Sequence, residues 1–557
     1  MSRVTSIFTP KPIVVKAKSV NRDGYPSFTM PIEEQTLQTL LCNTFGHTFY
    51  ADQRDLVKES EAVFEQMLNK DARFFANALV FARNEGYMRS QPVFGLAMLS
   101  EYDAGMFKAA FNHVILTPKD LSDFMAVVEA RHGGSQGGRA IKTAVANWLS
   151  LHFGKDSTSG EYWAVKYGSS NKSGYSLKDL IITTHPSGVR ADIAKWLLGK
   201  KFKLTEKTSP KLYWYEKLKV ASTVAEKVEA IENGKLPHEV ASTFAGDSKG
   251  VWSAIFPNLP PFALLRNINN LDHKGILDGF KREIQTKLSD PVKIKNSKIL
   301  PFRFYEAYKV INKEWAKNLM AEAIDASFEN IPDFVGKTAV VLDVSGSMSS
   351  FLDTASLFAV CAARKGGVNK ITLFDTRAWG KNINPSKSIL TEAQSISTGG
   401  GTDIAAPIRF LTNQGEVYDN IILITDEQQN SGSPMYNEFE RYRKALNMDV
   451  NLFVVDVSPY RAALTPPKGN VHYIFGWSDQ VMNYISATTR GWSSQVQKVK
   501  AMDADLDFKV WTPPVAQRKA AKVSVSKPKA KAKVVKTKKV VGKKRNLKAE
   551  LAAILRK

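Results

Sequence analysis

The strongest constraint on the fold is a change of rhythm near Pro332. Upstream, from about Ile32 to Ala326, apolar residues recur at three- and four-residue spacing. EEQTLQTLLCNTF, RDLVKESEAVFEQML, ARFFANALVFARNEG, DAGMFKAAFNHVI and LSDFMAVVEARHG all carry it, and it is the period of one helix face. Short breaks with Gly, Pro or Asp separate these stretches. In LTPKDLSDF, Thr117 or Asp120 is placed to cap a helix start. Successive helices of roughly 10 to 15 residues with short turns imply stacked pairs, an α-solenoid of the HEAT kind. No fixed-period repeat of residues accompanies the rhythm.

Downstream of Pro332 the text changes to KTAVVLDV, NKITLFD, NIILITD and VNLFVVDV, with helical stretches such as TASLFAVCAARKG and MYNEFERYRKALNM between them. Short, β-branched, nearly unbroken apolar runs are strands buried on both faces. Alternating with helices, they predict a doubly wound parallel α/β sheet. The expected organisation is therefore multidomain. An extended arm (1–25) precedes an all-α HEAT-like domain (26–332), an α/β domain (333–510) and a Lys-rich disordered tail (511–557). The closing LKAELAAILRK suits one short amphipathic helix.

At 557 residues the chain is too long for one ordinary core. Its two cysteines, Cys42 and Cys361, are far apart, which excludes a disulfide framework or a Cys-based zinc site and fits a reducing compartment. The first 20 residues carry no continuous apolar core of a secretory signal, and no run approaches the roughly 18 apolar residues of a membrane helix. A cytoplasmic monomer with no membrane contact is expected. The formal charge is +23 and favours a polyanionic partner. About 15 of those charges follow Val515, so the folded part is only mildly basic.

One constellation carries chemistry on its own. The strand TAVVLDV runs into Asp343-Val344-Ser345-Gly346-Ser347, and in doubly wound sheets ligands bind beyond the carboxyl ends of the strands. Gly399-Gly400-Gly401-Thr402-Asp403 then offers a loop with a hydroxyl, and the strand IILIT ends in Asp426. Asp343, Ser345, Ser347, Thr402 and Asp426 make an all-oxygen set suited to Mg²⁺ or another hard divalent cation. Neutral hydroxyls leave such an ion electron-poor and ready for an acidic ligand from a partner. The plainer alternative treats Ser345 and Ser347 as helix caps. No His or Lys base stands beside a nucleophile, and no G-x-x-x-x-G-K-[ST] loop occurs, so binding rather than catalysis is expected.

This pattern resembles the metal-ion-dependent adhesion site of von Willebrand A domains. The helical half carries a second resemblance, through Thr44-Phe45-Gly46-His47-Thr48-Phe49-Tyr50, Gly138-Arg139-Ala140-Ile141-Lys142, Ala164-Val165-Lys166-Tyr167 and Gly174-Tyr175-Ser176-Leu177-Lys178-Asp179-Leu180. His185-Pro186, Ala263-Leu264-Leu265-Arg266-Asn267 and Leu300-Pro301-Phe302 continue it. Together they resemble the Ro 60 kDa autoantigen and its bacterial relatives, the TROVE-domain proteins. The resemblance implies a ring of HEAT-like helical pairs closed by the A domain. It also implies binding of small structured non-coding (Y-like) RNA on the outer rim, and of single-stranded 3′ ends of misfolded RNA through the hole. Tethering of an exoribonuclease is a further implied role. A metal-dependent protein-interaction scaffold is the competing reading.

The RNA-binding residues implied are Arg139, Lys142, Lys166, Tyr167, Lys172, Lys178, His185 and Arg266. Physical chemistry is compatible with them. In RAIKTAVANWL, Ala140, Ile141, Ala144, Val145, Trp148 and Leu149 form one apolar face, and Arg139 and Lys142 project together from the other. Paired cations on a rigid helix suit phosphate. Tyr167 is available to stack on an unpaired base. At Lys172 a lysine stands where the family has arginine, which loses the bidentate fork. Glu427-Gln428-Gln429 after Asp426 adds acid near the metal loops.

Overall fold

A computed structural model describes residues 53–155, 157, 159–168 and 175–457, with 19–20, 26–29, 31–42, 462–463, 470–475, 480–489 and 495–502. The motif at 44–50, Lys172 and the tail, with the stretch expected to close it as a helix, lie outside the described residues. The chain divides into two compact units: 44–241 with 499–557, and 1–43 with 242–498. That division does not follow the change of rhythm at Pro332, because the later helices pack with the sheet. Among the described residues, no helix is long and apolar enough to cross a membrane.

In the unit 44–241 the expected helices form. RDLVKESEAVFEQML and ARFFANALVFARNEG fall in Gln53–Asn84, which kinks at Asp71 (φ −158°, ψ 89°). There the Asp71 carboxylate accepts the Phe74 N–H at 2.9 Å and restarts the helix. Ser90–Tyr102, Ala104–Val114 and Pro118–Arg131 follow. Thr117 and Asp120 both serve the last of these as a reciprocal capping box. Phe107, Phe111 and Phe124 are fully buried, with ring centroids 5.4 to 5.8 Å apart. Each such burial contributes roughly 1.5–3 kcal/mol. Gly95 marks a close helix crossing, since a Cβ there would lie 2.5 Å from Leu79 Cδ2.

The other unit joins the helices Lys249–Ile255 through Glu314–Ser327 to an α/β sheet. Phe302 stacks on Phe358 at 5.7 Å, and the Asp325 carboxylate accepts the Ile389 N–H at 2.8 Å. These contacts explain why the helices after residue 242 go with the sheet. The six strands are ordered Ala378–Asn382, Lys370–Phe374, Thr338–Asp343, Asn420–Thr425, Asn451–Asp456, Val471–Phe475. Five are parallel, as expected. Ala378–Asn382 runs antiparallel to its neighbour, which corrects the all-parallel expectation. Its cause is the turn at Asp375–Arg377, where Arg377 N–H donates to Asp375 Oδ1 at 2.8 Å; so short a link permits only a hairpin. This edge strand is largely exposed, so it lacked the apolar signature of the others. Every residue of Thr338–Asp343 and Asn420–Thr425 is buried.

Candidate metal centre and nucleic-acid face

Thr338–Asp343 pairs with Lys370–Phe374 on one side and with Asn420–Thr425 on the other. Successive connections leave this central strand in opposite directions, which opens a crevice at its carboxyl end. Asp343 ends that strand and Asp426 follows the next, both wholly buried. Asp343 Oδ1 accepts the Ser345 N–H at 2.9 Å and Oδ2 accepts the Thr425 hydroxyl at 2.7 Å. Burial first, and then the charge of Asp426, push the Asp343 carboxyl up to about 7 against those two hydrogen bonds.

The three loops are tied together by backbone. Gly346 N–H donates to Gly400 O at 3.2 Å and Gly399 N–H to Val344 O at 2.8 Å, which draws the Thr402 loop onto the first. Thr402 N–H donates to Asn430 Oδ1 at 2.9 Å, and Thr402 O accepts the Asn430 and Ser431 N–H groups, each at 3.1 Å. Asp403 accepts from Ala405 N–H at 3.0 Å and from Arg409. Ser345 makes no side-chain cap to the turn Gly346–Ser350; its Oγ lies 3.3 Å from Ser347 Oγ. Capping therefore does not explain these serines. Exposed Gly346, Gly399 and Gly400 form the mouth above buried Ser345 and Thr402.

All five predicted oxygen donors thus lie at one end of the sheet, Asp343 at a strand terminus and the other four on loops. Among the described residues no cluster of three His, Cys, Asp or Glu could hold a metal ion, so any ion here must draw on hydroxyls. Two buried neighbouring carboxylates with hydroxyls alongside fit a hard divalent cation, which would neutralise a charge that burial otherwise penalises. Thr425 and Asn430 were missed from sequence. Thr425 had a signal, as the last strand residue beside Asp343; Asn430 had none, because its role depends on loop closure.

The RNA candidates divide. In the Arg139–Phe153 helix, Ile141, Ala144, Val145, Trp148 and Leu149 are buried, with Ala140 partly so, while Arg139 and Lys142 are exposed. Both cations line an open hollow of about 440 Å³ with Gly137, Gly138, Thr143, Ala146 and Thr184. Neither has a carboxylate partner among the described residues. Thr184 ends the Leu177–Thr184 helix, and His185, exposed and left-handed at φ 47°, caps it with N–H donated to Ile181 O at 3.0 Å. The structure therefore brings Arg139 and Lys142 to Thr184, the residue that precedes His185. Lys178 is exposed on the first turn of that helix.

Lys166 is already engaged. It meets Glu239 at 2.5 Å and lies over the rings of Tyr162 and Tyr167 at 5.5 and 5.3 Å. Burial works against its charge, yet the Glu239 hydrogen bond and these neighbours hold the ammonium above its usual range. Tyr167 is half-buried, and that burial raises its phenol. Arg266 is exposed on Pro261–His273, in the other unit, and the adjacent Asn267 side chain bonds Ala263 O at 2.8 Å.

Paired helices leading to a doubly wound domain with this loop set define a helical-repeat protein with a C-terminal von Willebrand A-type domain. Residues 168–340 match the TROVE domain and residues 337–487 match the Ro60 vWA domain; the chain is a member of the Ro60-like TROVE-domain family. It is 25% identical over 517 residues to "RNA-binding protein RO60" of Deinococcus radiodurans, covering 85% of this chain and 95% of that protein. A Caenorhabditis elegans "RNA-binding protein RO60" is 24% identical over 288 residues, 45% of this chain and 44% of the worm protein. The crystal structure of the D. radiodurans RO (RSR) protein matches in fold with a TM-score of 0.65 at 20% identity, over 83% of this chain and 100% of that one.

Proposed function

We propose that this chain is an RNA-binding protein that takes structured non-coding RNA at the hollow lined by Arg139, Lys142 and Thr184, next to His185. The observation that carries this reading is two exposed cations, one helical turn apart and without carboxylate partners, beside a helix end that presents a histidine. Phosphates of an RNA helix fit the cations, and His185 can reach a phosphate or 2′-hydroxyl. The names of the relatives support the partner class. Within it, a Y-like RNA on this face and the 3′ ends of misfolded RNA are the proposed ligands, in RNA quality control or in tethering an exoribonuclease. In the A domain, Asp343, Ser345, Ser347, Thr402 and Asp426 are proposed to hold Mg²⁺ and to dock an acidic group from a partner. This constellation pairs none of its hydroxyls with a His or Lys base, so its proposed role is docking rather than catalysis.

The test is binding of a hairpin RNA with a free 3′ tail, titrated against salt. Arg139→Gln with Lys142→Gln should weaken binding and lower the slope of log K against log salt by about 2, one phosphate contact per cation. Removal of residues 516–557 should leave hairpin binding in place. If that removal abolishes all binding, the helical unit is not the platform.

A further inference from the structure

Outside the hollow, one segment of the same unit is strongly basic. Residues 195–219 hold eight lysines against Glu206 and Glu216, a net charge of +6. They span the end of the Ala191–Leu197 helix, a loop, and the Pro210–Val220 helix. The tail aside, most of the chain's positive excess sits here. Lys200, Lys201 and Lys203 on the loop are exposed, with no carboxylate partner among the described residues.

The same segment carries four aromatic rings that the core does not absorb. Tyr213, Trp214 and Tyr215 are consecutive, and steps of about 100° spread them over more than half of the helix circumference. Only Leu212 and Leu218 of that helix are buried; the three rings and Trp196 are partly exposed. Trp196 and Tyr215 meet edge-to-face at 5.9 Å, and Tyr213 and Trp214 at 5.3 Å. Two carboxylates orient the indoles: Trp196 N–H donates to Glu216 at 2.7 Å and Trp214 N–H to Glu206 at 2.9 Å. Lys217 lies over Tyr213 at 5.7 Å, and Lys219 over Tyr215 at 5.3 Å. Lysine stems covering a surface aromatic cluster would account for these last contacts. They do not account for the three loop lysines.

We infer that the 195–219 face is a second RNA site, specific for a single strand. Rings held edge-to-face do not stack on one another, so a face that no lysine covers accepts an unstacked base, while the loop lysines follow the phosphates. A duplex offers phosphates but keeps its bases paired, and so uses only the charge. This extends the RNA-binding reading to another surface and differs from the hollow in strandedness.

The test uses the full chain and a 12-nucleotide oligouridylate containing 4-thiouridine, photocrosslinked near physiological salt and mapped by peptide mass spectrometry. Adducts are expected on peptides within 195–220 as well as on the basic tail, and excess 12-base-pair duplex should leave the 195–220 adducts largely intact. Lys200→Gln with Lys201→Gln and Lys203→Gln should lower that adduct yield at least threefold, with tail adducts as the internal control. The Arg139→Gln, Lys142→Gln variant should leave it unchanged, even if hairpin binding proves independent of the hollow. Adducts confined to 516–557 or to the hollow, equal competition by the duplex, or loss in the hollow variant would each overturn the inference.

Discussion

Replacing Asp343 with Asn should make the metal-free A domain more stable at neutral pH, although it removes a side chain that carries the proposed metal site. In the folded chain the Asp343 carboxyl is held at about 7, against 3.8 for an ordinary aspartate. A carboxyl raised by folding keeps its proton in the native state where the unfolded chain has lost it. Stability therefore falls as pH rises from 3.8 to about 7 and stays low above. Three pKa units correspond to ~4 kcal/mol. Asn removes that penalty but presents one acceptor oxygen where Asp343 offers two, to Ser345 N–H and the Thr425 hydroxyl. Losing one of these costs about 1 kcal/mol. The net expectation is a gain of a few kcal/mol at pH 8 in EDTA, shrinking to nothing or below near pH 4.

Urea-dependent hydrogen exchange of peptides from Thr338–Asp343 and Asn420–Thr425 reads this locally, which matters in a chain of two units. Saturating Mg²⁺ should reverse the order at pH 8, because the wild-type carboxylates then hold the ion and the variant does not. The reasoning fails if Asp343→Asn is the less stable protein at pH 8 in EDTA. It also fails if the difference between the two proteins does not change with pH.

Other outcomes follow from the same geometry. Mg²⁺ should raise the unfolding temperature of the wild-type sheet, and Ser345→Ala with Ser347→Ala should abolish most of that rise without disturbing the metal-free fold, read by calorimetry with and without EDTA. His472 stacks on Phe453 at 4.9 Å, and burial lowers its pKa to about 4. A base lowered on folding contributes stability that is complete above 6.5 and is lost as pH falls toward 4, so His472→Phe should flatten that acid-side loss in hydrogen exchange of Val471–Phe475. Gly432 has φ +81°, and a Cβ there would lie 2.1 Å from Asp403 Cγ. Gly432→Ala should accordingly cost on the order of 1–3 kcal/mol and weaken the Mg²⁺ response, measured by the same calorimetry.

Much of this protein is legible in one dimension. The period of three to four before Pro332 and the β-branched runs after it predict helices and strands that form, because each period matches one buried face. Asp343, Ser345, Ser347 and Asp426 could be chosen because each ends or closely follows a strand, and strand ends in such sheets share one rim; Thr402 was chosen as the hydroxyl of a Gly-rich loop. The amphipathic split of Arg139–Phe153 was readable for the same reason. The hairpin strand Ala378–Asn382 was not, since an exposed edge carries no apolar signature.

What tertiary structure alone decided is how side chains are engaged. Sequence offered Lys166, beside Tyr167, as an RNA contact, but Glu239, more than seventy residues away, holds it. Conversely, Arg139 and Lys142 acquire a setting only when Thr184, the residue before His185, arrives from another helix to complete the hollow. Thr425 and Asn430 join the proposed metal site through hydrogen bonds that exist only once three loops meet. Local periodicity specifies which face of an element is buried. Which charge meets which partner depends on contacts between distant segments, and no local pattern encodes those.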